Sequence, residues 1–412
     1  MPSPVIEPNL EKHIACIAES LGLEGTRQAI RQWNDNLQST ERQRIEEVAG
    51  KVFPKQPTQR CWEDWHRSDY RCDSSDSVPA GLVGILHTVF FRTGGTETWA
   101  RHFIRLISRT LRVAGLAYLG GDETEVMFSQ SPTGRILGKR GLQAAKNLAS
   151  ICDSLILWGI CPPVLDELRS HMRPGCNIIH MHHGDTSSTW SEQLIRSARL
   201  PSETLACVHP LVAQQLGGVW IPNAVDMQRT APNRSLAGEP TVLYMHRFSE
   251  EKQPMLAVDA VRALPRNWRA IFAGRGELWE KARERANGDP RIRFLFDANP
   301  TDVFPQSHVF LSLSKSEGFG YSTAEAAASG LRVVSLPVGI CEDPRLCRQL
   351  HAEELAPAKV AEHILLAYEE RQEALLAGRW VTWKYSEDVF HKRWVELLGG
   401  ASAVRTTQGP GD

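Results

Sequence analysis

Glu317 and Glu325 lie eight positions apart around a glycine-broken stretch, Ser314-Lys315-Ser316-Glu317-Gly318-Phe319-Gly320-Tyr321-Ser322-Thr323-Ala324-Glu325-Ala326-Ala327-Ala328-Ser329-Gly330. An apolar run ends just before it, and an alanine-rich helix leaves it. Glycines at such a place let backbone N–H groups face an anion, and the emerging helix adds its positive end. The pattern predicts a phosphate site at Gly320-Tyr321-Ser322. On one continuous helix the two glutamates would stand ~80° apart. With Glu317 in the loop, both can reach one ligand from different ends. The plainer reading makes Glu317 a solvated loop residue and Glu325 a surface helical charge, and glycine spacing alone does not choose between the two. A second constellation is Met245-His246-Arg247-Phe248-Ser249-Glu250-Glu251-Lys252-Gln253-Pro254. Arg247 at a strand end and Lys252 at a helix entry can converge. Arginine offers a planar fork for phosphate oxygens and lysine a point charge, which together suit a diphosphate leaving group. Two solvated cations beside Glu250 and Glu251 are the plainer alternative.

These residues need strands to carry them. Gly81–Val89 reads as a buried parallel strand, followed by Thr93-Gly94-Gly95-Thr96-Glu97 and a helix from Thr98 to about Leu111. Further strands are expected at 154–158, 177–181, 205–208 and 219–221. A second α/β half begins at Thr241, with strands at 242–245, 269–273, 292–296, 309–313 and 333–336. Helices are expected near 254–264, 277–286 and 322–328, then as one long helix from Ala356 to about Leu376 and another over 386–398. The expected organisation is a helical N-terminal extension (1–77), a Rossmann-like N-terminal domain (78–222), a linker (223–240), a Rossmann-like C-terminal domain (241–378) and a C-terminal helix (379–400) packing back toward the N-terminal domain. Two doubly wound parallel-sheet halves would face a cleft at the C-terminal edges of their strands.

Bulk properties narrow the class. The chain has 412 residues, and 47 basic against 48 acidic side chains leave a formal charge of -1. That gives no global attraction to nucleic acid. No apolar stretch reaches the ~18–20 residues of a membrane span, and the start MPSPVIEPNLEKH is unlike a signal peptide. Nine scattered cysteines without a C-x-x-C pair argue against a zinc ribbon and for reduced thiols, hence a cytoplasmic location.

The C-terminal half resembles the retaining GT-B glycosyltransferases of glycosyltransferase family four. Its G-R-F-x-x-E-K-G pattern is matched by His246-Arg247-Phe248-Ser249-Glu250-Glu251-Lys252-Gln253. Its E-G-F-G, followed by E-A, is matched by Glu317-Gly318-Phe319-Gly320 and Glu325-Ala326. Gly330-Leu331-Arg332-Val333-Val334 is similar to G-x-P-V-V, and Ile221-Pro222-Asn223-Ala224-Val225-Asp226 to I-P-N-G-V-D. In the N-terminal half, Gly94-Gly95-Thr96-Glu97 is similar to the family's first-loop glycines, and Ile178-Ile179-His180-Met181-His182-His183 to its v-v-H-x-H strand end. The resemblance covers roughly residues 80–400. Gln253 and Ala224 stand where glycines are usual, and Gly339-Ile340-Cys341-Glu342 departs from G-G-x-x-E.

The resemblance implies a nucleotide-sugar donor, UDP- or GDP-linked, with no other cofactor. Arg247 and Lys252 would hold its diphosphate. Glu325 would accept from the ribose hydroxyls, and Glu317 would position the sugar. Amides from Gly318 and Phe319 through Gly320, Tyr321 and Ser322, with Gly94 and Gly95, would cradle the phosphates. His182 would act at the sugar, with His183 as a further sugar or acceptor contact. A retaining transfer would use a leaving-phosphate oxygen to take the acceptor's proton, and without a D-x-D motif no bound metal is implied. A GT-B nucleotide-sugar 2-epimerase and a non-catalytic sugar-nucleotide-binding protein are the alternatives. The acceptor stays open among lipid-linked glycan, polysaccharide, natural product, protein and modified nucleobase. Arg101, Arg105, Arg109 and Arg112 would form a basic stripe on one helix face. It is either a solvated face or a contact to an anionic membrane surface, a phosphorylated lipid or nucleic acid.

Overall fold

The computed structural model describes residues 81–90, 94–121, 125–131, 134–185, 187, 189–231 and 238–403. The expected helical extension over 1–77 lies outside them, as do residues 232–237 of the expected linker. The chain forms two compact units. One holds the described residues up to His182, Thr189–Ala206 and the segment from Arg393; the other holds His183–Ser188 and Cys207–Lys392.

In chain order the first sheet and its helices are β1 (Leu82–Phe90), α1 (Gly95–Ile107), β2 (Arg112–Gly121), β3 (Glu125–Ser131), β4 (Gly134–Arg140), α2 (Leu142–Ile151), β5 (Ser154–Trp158), α3 (Pro162–Arg169), β6 (Asn177–His182), α4 (Thr189–Ala198), β7 (Thr204–Cys207), α5 (Pro210–Leu216) and β8 (Val219–Trp220). Their order across the sheet is β3-β4-β2-β1-β5-β6-β7-β8. The apolar run of β1 is covered on both edges by parallel β2 and β5. That is why it reads as continuously hydrophobic rather than alternating.

Three strands in this region were not expected. The helix forecast to run to Leu111 stops at Ile107, where the N–H groups of Thr110 and Leu111 both return to the Ile107 carbonyl. Arg112 then opens β2, and the antiparallel pair β3–β4 follows. The basic stripe is therefore corrected. Arg101 and Arg105 share a turn of α1, Arg109 lies in the turn after it, and Arg112 belongs to a strand. Trp394 packs into this unit, 5.8 Å from Trp99 and edge-on to Phe103 at 5.0 Å.

The second unit contains β9 (Thr241–Met245), α6 (Pro254–Ala263), β10 (Arg269–Gly274), α7 (Trp279–Ala286), β11 (Ile292–Phe296), α8 (Pro300–Val303), β12 (Val309–Ser312), α9 (Tyr321–Ala328), β13 (Arg332–Ser335), β14 (Cys347–Gln349), α10 (Pro357–Glu369) and α11 (Ala374–Lys384). The final helix, α12 (Glu387–Ala403), starts here. The sheet order is β11-β10-β9-β12-β13-β14, with every pair parallel. Counted from the first strand of this sheet, that is 3-2-1-4-5-6, the doubly wound order. The single long helix expected over 356–376 is two, α10 and α11, separated by a short 3-10 turn at Arg371–Glu373. At the break Glu370 bridges Arg332 (3.1 Å) and Arg348.

Doubly wound order has a chemical consequence. Crossovers leave β9 in one direction toward β10 and reach β12 on the other side. The loops after β9 and β12 therefore diverge and open a crevice at their C-terminal ends. Both constellations singled out in the sequence leave the sheet at this point.

Candidate active site

Lys252 ends the short 3-10 turn Glu250–Lys252 after β9, and its ammonium points to the loop that follows β12. It donates to Glu251 Oε1 at 2.7 Å, Glu317 Oε1 at 2.8 Å and Ser314 Oγ at 2.8 Å; the Ser316 carbonyl stands at 3.3 Å. An ammonium has three protons, so the three short contacts satisfy it. Burial alone would pull its pKa down, but the carboxylates of Glu317 and Glu251 outweigh burial, and the net shift is upward. Lys252 is a fixed positive charge at neutral pH.

The backbone around Lys252 is pinned. Tyr244 OH donates to the Lys252 carbonyl at 3.0 Å, and the Gln253 side chain donates to the Leu313 carbonyl at 2.8 Å. Gln253 has φ 54, a left-handed conformation. This explains why glycine is usual in the pattern it departs from. Neighbouring His246 is buried and held neutral: burial, then the Lys252 charge, take its pKa down to about 3.

Arg247 stands beside Lys252, on the far side of Glu251. Its side chain is 49% exposed, and its Nη2 lies 3.9 Å from Glu251 Oε2. Arg247 and Lys252 thus do converge, but on the two oxygens of Glu251.

The glycines of the β12 loop have distinct duties. A Cβ on Gly318 would stand 1.8 Å from the His183 carbonyl oxygen, so the chains touch backbone to backbone. Gly320 has φ 86 and caps α9, where its side has room but its backbone needs glycine. The Glu317 N–H donates to Asp185 Oδ2 at 3.2 Å. Asp185 Oδ1 in turn accepts from the Ser187 N–H at 2.9 Å and its hydroxyl at 2.7 Å. Phe319 packs edge-on to Tyr321 and Tyr385, each at 5.2 Å. Ser322 is the second residue of α9, so its N–H belongs to the first turn, where amides have no partner within the helix.

Glu325 keeps separate company. It is fully buried in the middle of α9, with the Arg229 Nε 2.8 Å from its Oε1. That contact is Coulombic and lacks hydrogen-bond alignment. Both carboxylate oxygens and the nearby Tyr321 OH have no hydrogen-bond partner. Burial pushes Glu325 up, Arg229 pulls it back and Asp226 adds to the rise, leaving a pKa of about 7. Arg229 closes a 3-10 turn, Met227–Arg229, in which the Gln228 N–H donates to the capping Asp226 Oδ1 at 3.1 Å.

The family model described as "Glycosyl transferases group 1" matches residues 239–370, which carry β9 through α10 and the groups above except the 183–187 segment, the 226–229 turn with Arg229, and Tyr385. Solved structures match over most of the chain. A glycosyltransferase from Rickettsia africae has a TM-score of 0.60 at 13% identity, covering 78% of this chain and 99% of its own. HepE from Anabaena, solved with UDP-glucose, has 0.60 at 15%, covering 78% and 100%. Sucrose-phosphate synthase from Thermosynechococcus elongatus has 0.61 at 14%, covering 79% and 100%. The fold is GT-B. No curated protein matches the chain in sequence.

The GT-B fold accounts for the doubly wound order of the second sheet, and the stretch that the family model matches contains the R-F-x-x-E-K and E-G-F-G segments. The remaining sequence candidates lie in the first unit or at its border. Gly94 caps α1 with extended backbone, and the position its Cβ would take is 2.0 Å from Glu97 Oε2. The first-loop glycine thus has a carboxylate of its own chain beside it, which also accepts from Thr96 Oγ1 at 2.9 Å. Gly95 is the first residue of α1. His182 ends β6 and is buried. His183 belongs to the second unit, where its carbonyl meets Gly318. Nearby in the strand, His180 bonds Glu203 at 2.8 Å while Arg169 chelates both Glu203 oxygens at 2.8 and 2.9 Å. That closed ion network carries a structural load.

Sequence reasoning assigned no role to Arg229, Asp185 or Glu251. Arg229 and Asp185 meet their partners across 96 and 132 positions respectively, and no local spacing signals such a contact. Glu251 stood in plain view between the two cations it bridges.

Proposed function

We propose that the chain is a retaining glycosyltransferase that moves a sugar from a nucleoside diphosphate sugar to an acceptor hydroxyl. One observation carries the reading: a buried, permanently charged lysine is locked to a glutamate across the switch point of a doubly wound sheet, beside a glycine-capped helix start. Lys252 and Arg247 take the diphosphate, with Glu251 yielding its place between them. The amides of Phe319 to Ser322 face the same phosphates. Glu325 accepts from the ribose hydroxyls, and Glu317 positions the sugar.

Cleavage of the anomeric C–O bond leaves an oxocarbenium-like sugar and an additional negative charge on the diphosphate. Cations and amides fixed in advance stabilise that charge without reorganising. The acceptor oxygen bonds to the anomeric carbon on the face the diphosphate leaves, and its proton passes to the departing phosphate oxygen. In this reading protein groups supply the positive charge, so transfer persists in EDTA. HepE was solved with UDP and with UDP-glucose, which makes UDP-sugars the first donors to try, followed by GDP-sugars. A ligand at 100 times its Kd stabilises the folded state by about 2.7 kcal/mol. A rise in melting temperature with one nucleotide-sugar and none with the free sugar supports the reading. No shift with UDP-, GDP-, ADP- or TDP-sugars contradicts it.

A further inference from the structure

Arg229 lies outside the group 1 domain, on the short turn that follows Asp226, yet its guanidinium meets the most deeply buried acid of the second unit. Three facts bear on its purpose. Glu325 has no exposure to solvent, so water does not stabilise its charge. Neither of its oxygens is used in a hydrogen bond, and the Tyr321 hydroxyl beside it is likewise unused. The Arg229 side chain is 43% exposed, so it keeps much of its hydration while its Nε reaches inward. A pair built for stability would align fork to carboxylate and satisfy both oxygens. This one supplies charge and leaves the acceptor positions open.

Resting on the donor reading above, we propose that Arg229 is a positioning residue: it favours the ionised form of Glu325 and leaves its two oxygens available to accept a vicinal diol of the donor. A carboxylate accepts two hydroxyl protons at once, whereas a carboxylic acid gives up one of those acceptor positions to its own proton. Three ionisable or charged groups face Glu325. Arg229 favours its charged form, and Asp226 from the same turn opposes it. Tyr321, one helical turn earlier on α9, is itself held neutral by burial and by the Glu325 charge. Arg229 is the one cation among them, so removing it leaves only burial and Asp226, and both favour the protonated acid.

The experiment is a pH series on the full chain in three forms: wild type, Arg229→Gln and Arg229→Lys. The Glu325 side-chain carboxyl is followed by carbon NMR with labelled glutamate and assigned against Glu325→Gln. This readout needs no donor. The wild type should titrate near neutrality, Arg229→Gln at least one pH unit higher, and Arg229→Lys close to the wild type. Equal midpoints in wild type and Arg229→Gln would overturn the proposal. The second readout is the KM for whichever nucleotide-sugar raises the melting temperature. At pH 7, Arg229→Gln should raise KM about fivefold or more, with recovery at pH 9 and with rescue by lysine. A KM defect that is the same at every pH marks Arg229 as merely structural and also overturns the proposal. If the carboxyl midpoints move as expected but no nucleotide-sugar binds the wild type, the donor reading fails while the control of Glu325 by Arg229 stands.

Discussion

Two buried charges in the same unit are paired in opposite ways. Lys252 has three short bonds to Glu251, Glu317 and Ser314, and its charge is reinforced. Glu325 has a single cation beside it, out of hydrogen-bond alignment, and its charge is weakened until it titrates near neutrality. Both are removed from water, so burial does not distinguish them. The number of partners does. A charge with all its bonds made is a preorganised part of the protein, and one with its bonds unmade is costly unless a ligand completes it.

The largest effect should come from breaking the completed pair. Lys252→Met leaves two carboxylates facing one another without their cation and should cost about 3–5 kcal/mol by urea denaturation. A cost below 1 kcal/mol would mean that the three bonds are not formed in solution. The incomplete pair should behave in the opposite sense. For Glu325 the folded-state pKa is raised above its unfolded value near 4.5, so the stability it contributes is present below that value and is lost as pH rises through about 7. The stability of wild type minus Glu325→Gln should therefore fall by about 2–3 kcal/mol between pH 5 and pH 8. A difference that rises with pH would show that Glu325 is ionised throughout.

Smaller effects sharpen the account of the loop that joins the two sites. Gly318→Ala must push the His183 backbone aside and should cost about 1–3 kcal/mol. Full stability in that variant would show that the 183–187 segment does not rest on this loop. Gln253→Gly relieves a left-handed residue, a gain of about 1–2 kcal/mol, but loses the bond to the Leu313 carbonyl, worth about 0.5–1.5 kcal/mol. The two terms nearly cancel, so its midpoint in urea should barely move.

Legibility in the sequence followed the same division. Long apolar runs such as Leu82–Phe90 and Thr241–Met245 announce themselves because parallel strands are buried on both faces. β3 and β4, with Glu125, Gln130, Arg135 and Lys139, carry too many polar residues for that signal. The three residues of β14, Cys347-Arg348-Gln349, are too few to show any period. Arg112 continued a helical spacing by accident and hid the start of β2. In the second unit, Lys252, Glu317 and Glu325 could be singled out from the sequence because each stands in a local motif with glycines or an opposing charge. Arg229 and Asp185 were not, since their meaning lies in contacts that only the folded chain brings about.

The most direct measurement is calorimetric titration of UDP into the wild type and into Lys252→Met, with GDP in parallel, after confirming that the variant is folded. The account predicts saturable binding of at least one nucleoside diphosphate to the wild type and at least a tenfold weaker Kd in the variant. Binding of equal strength to both proteins would contradict it.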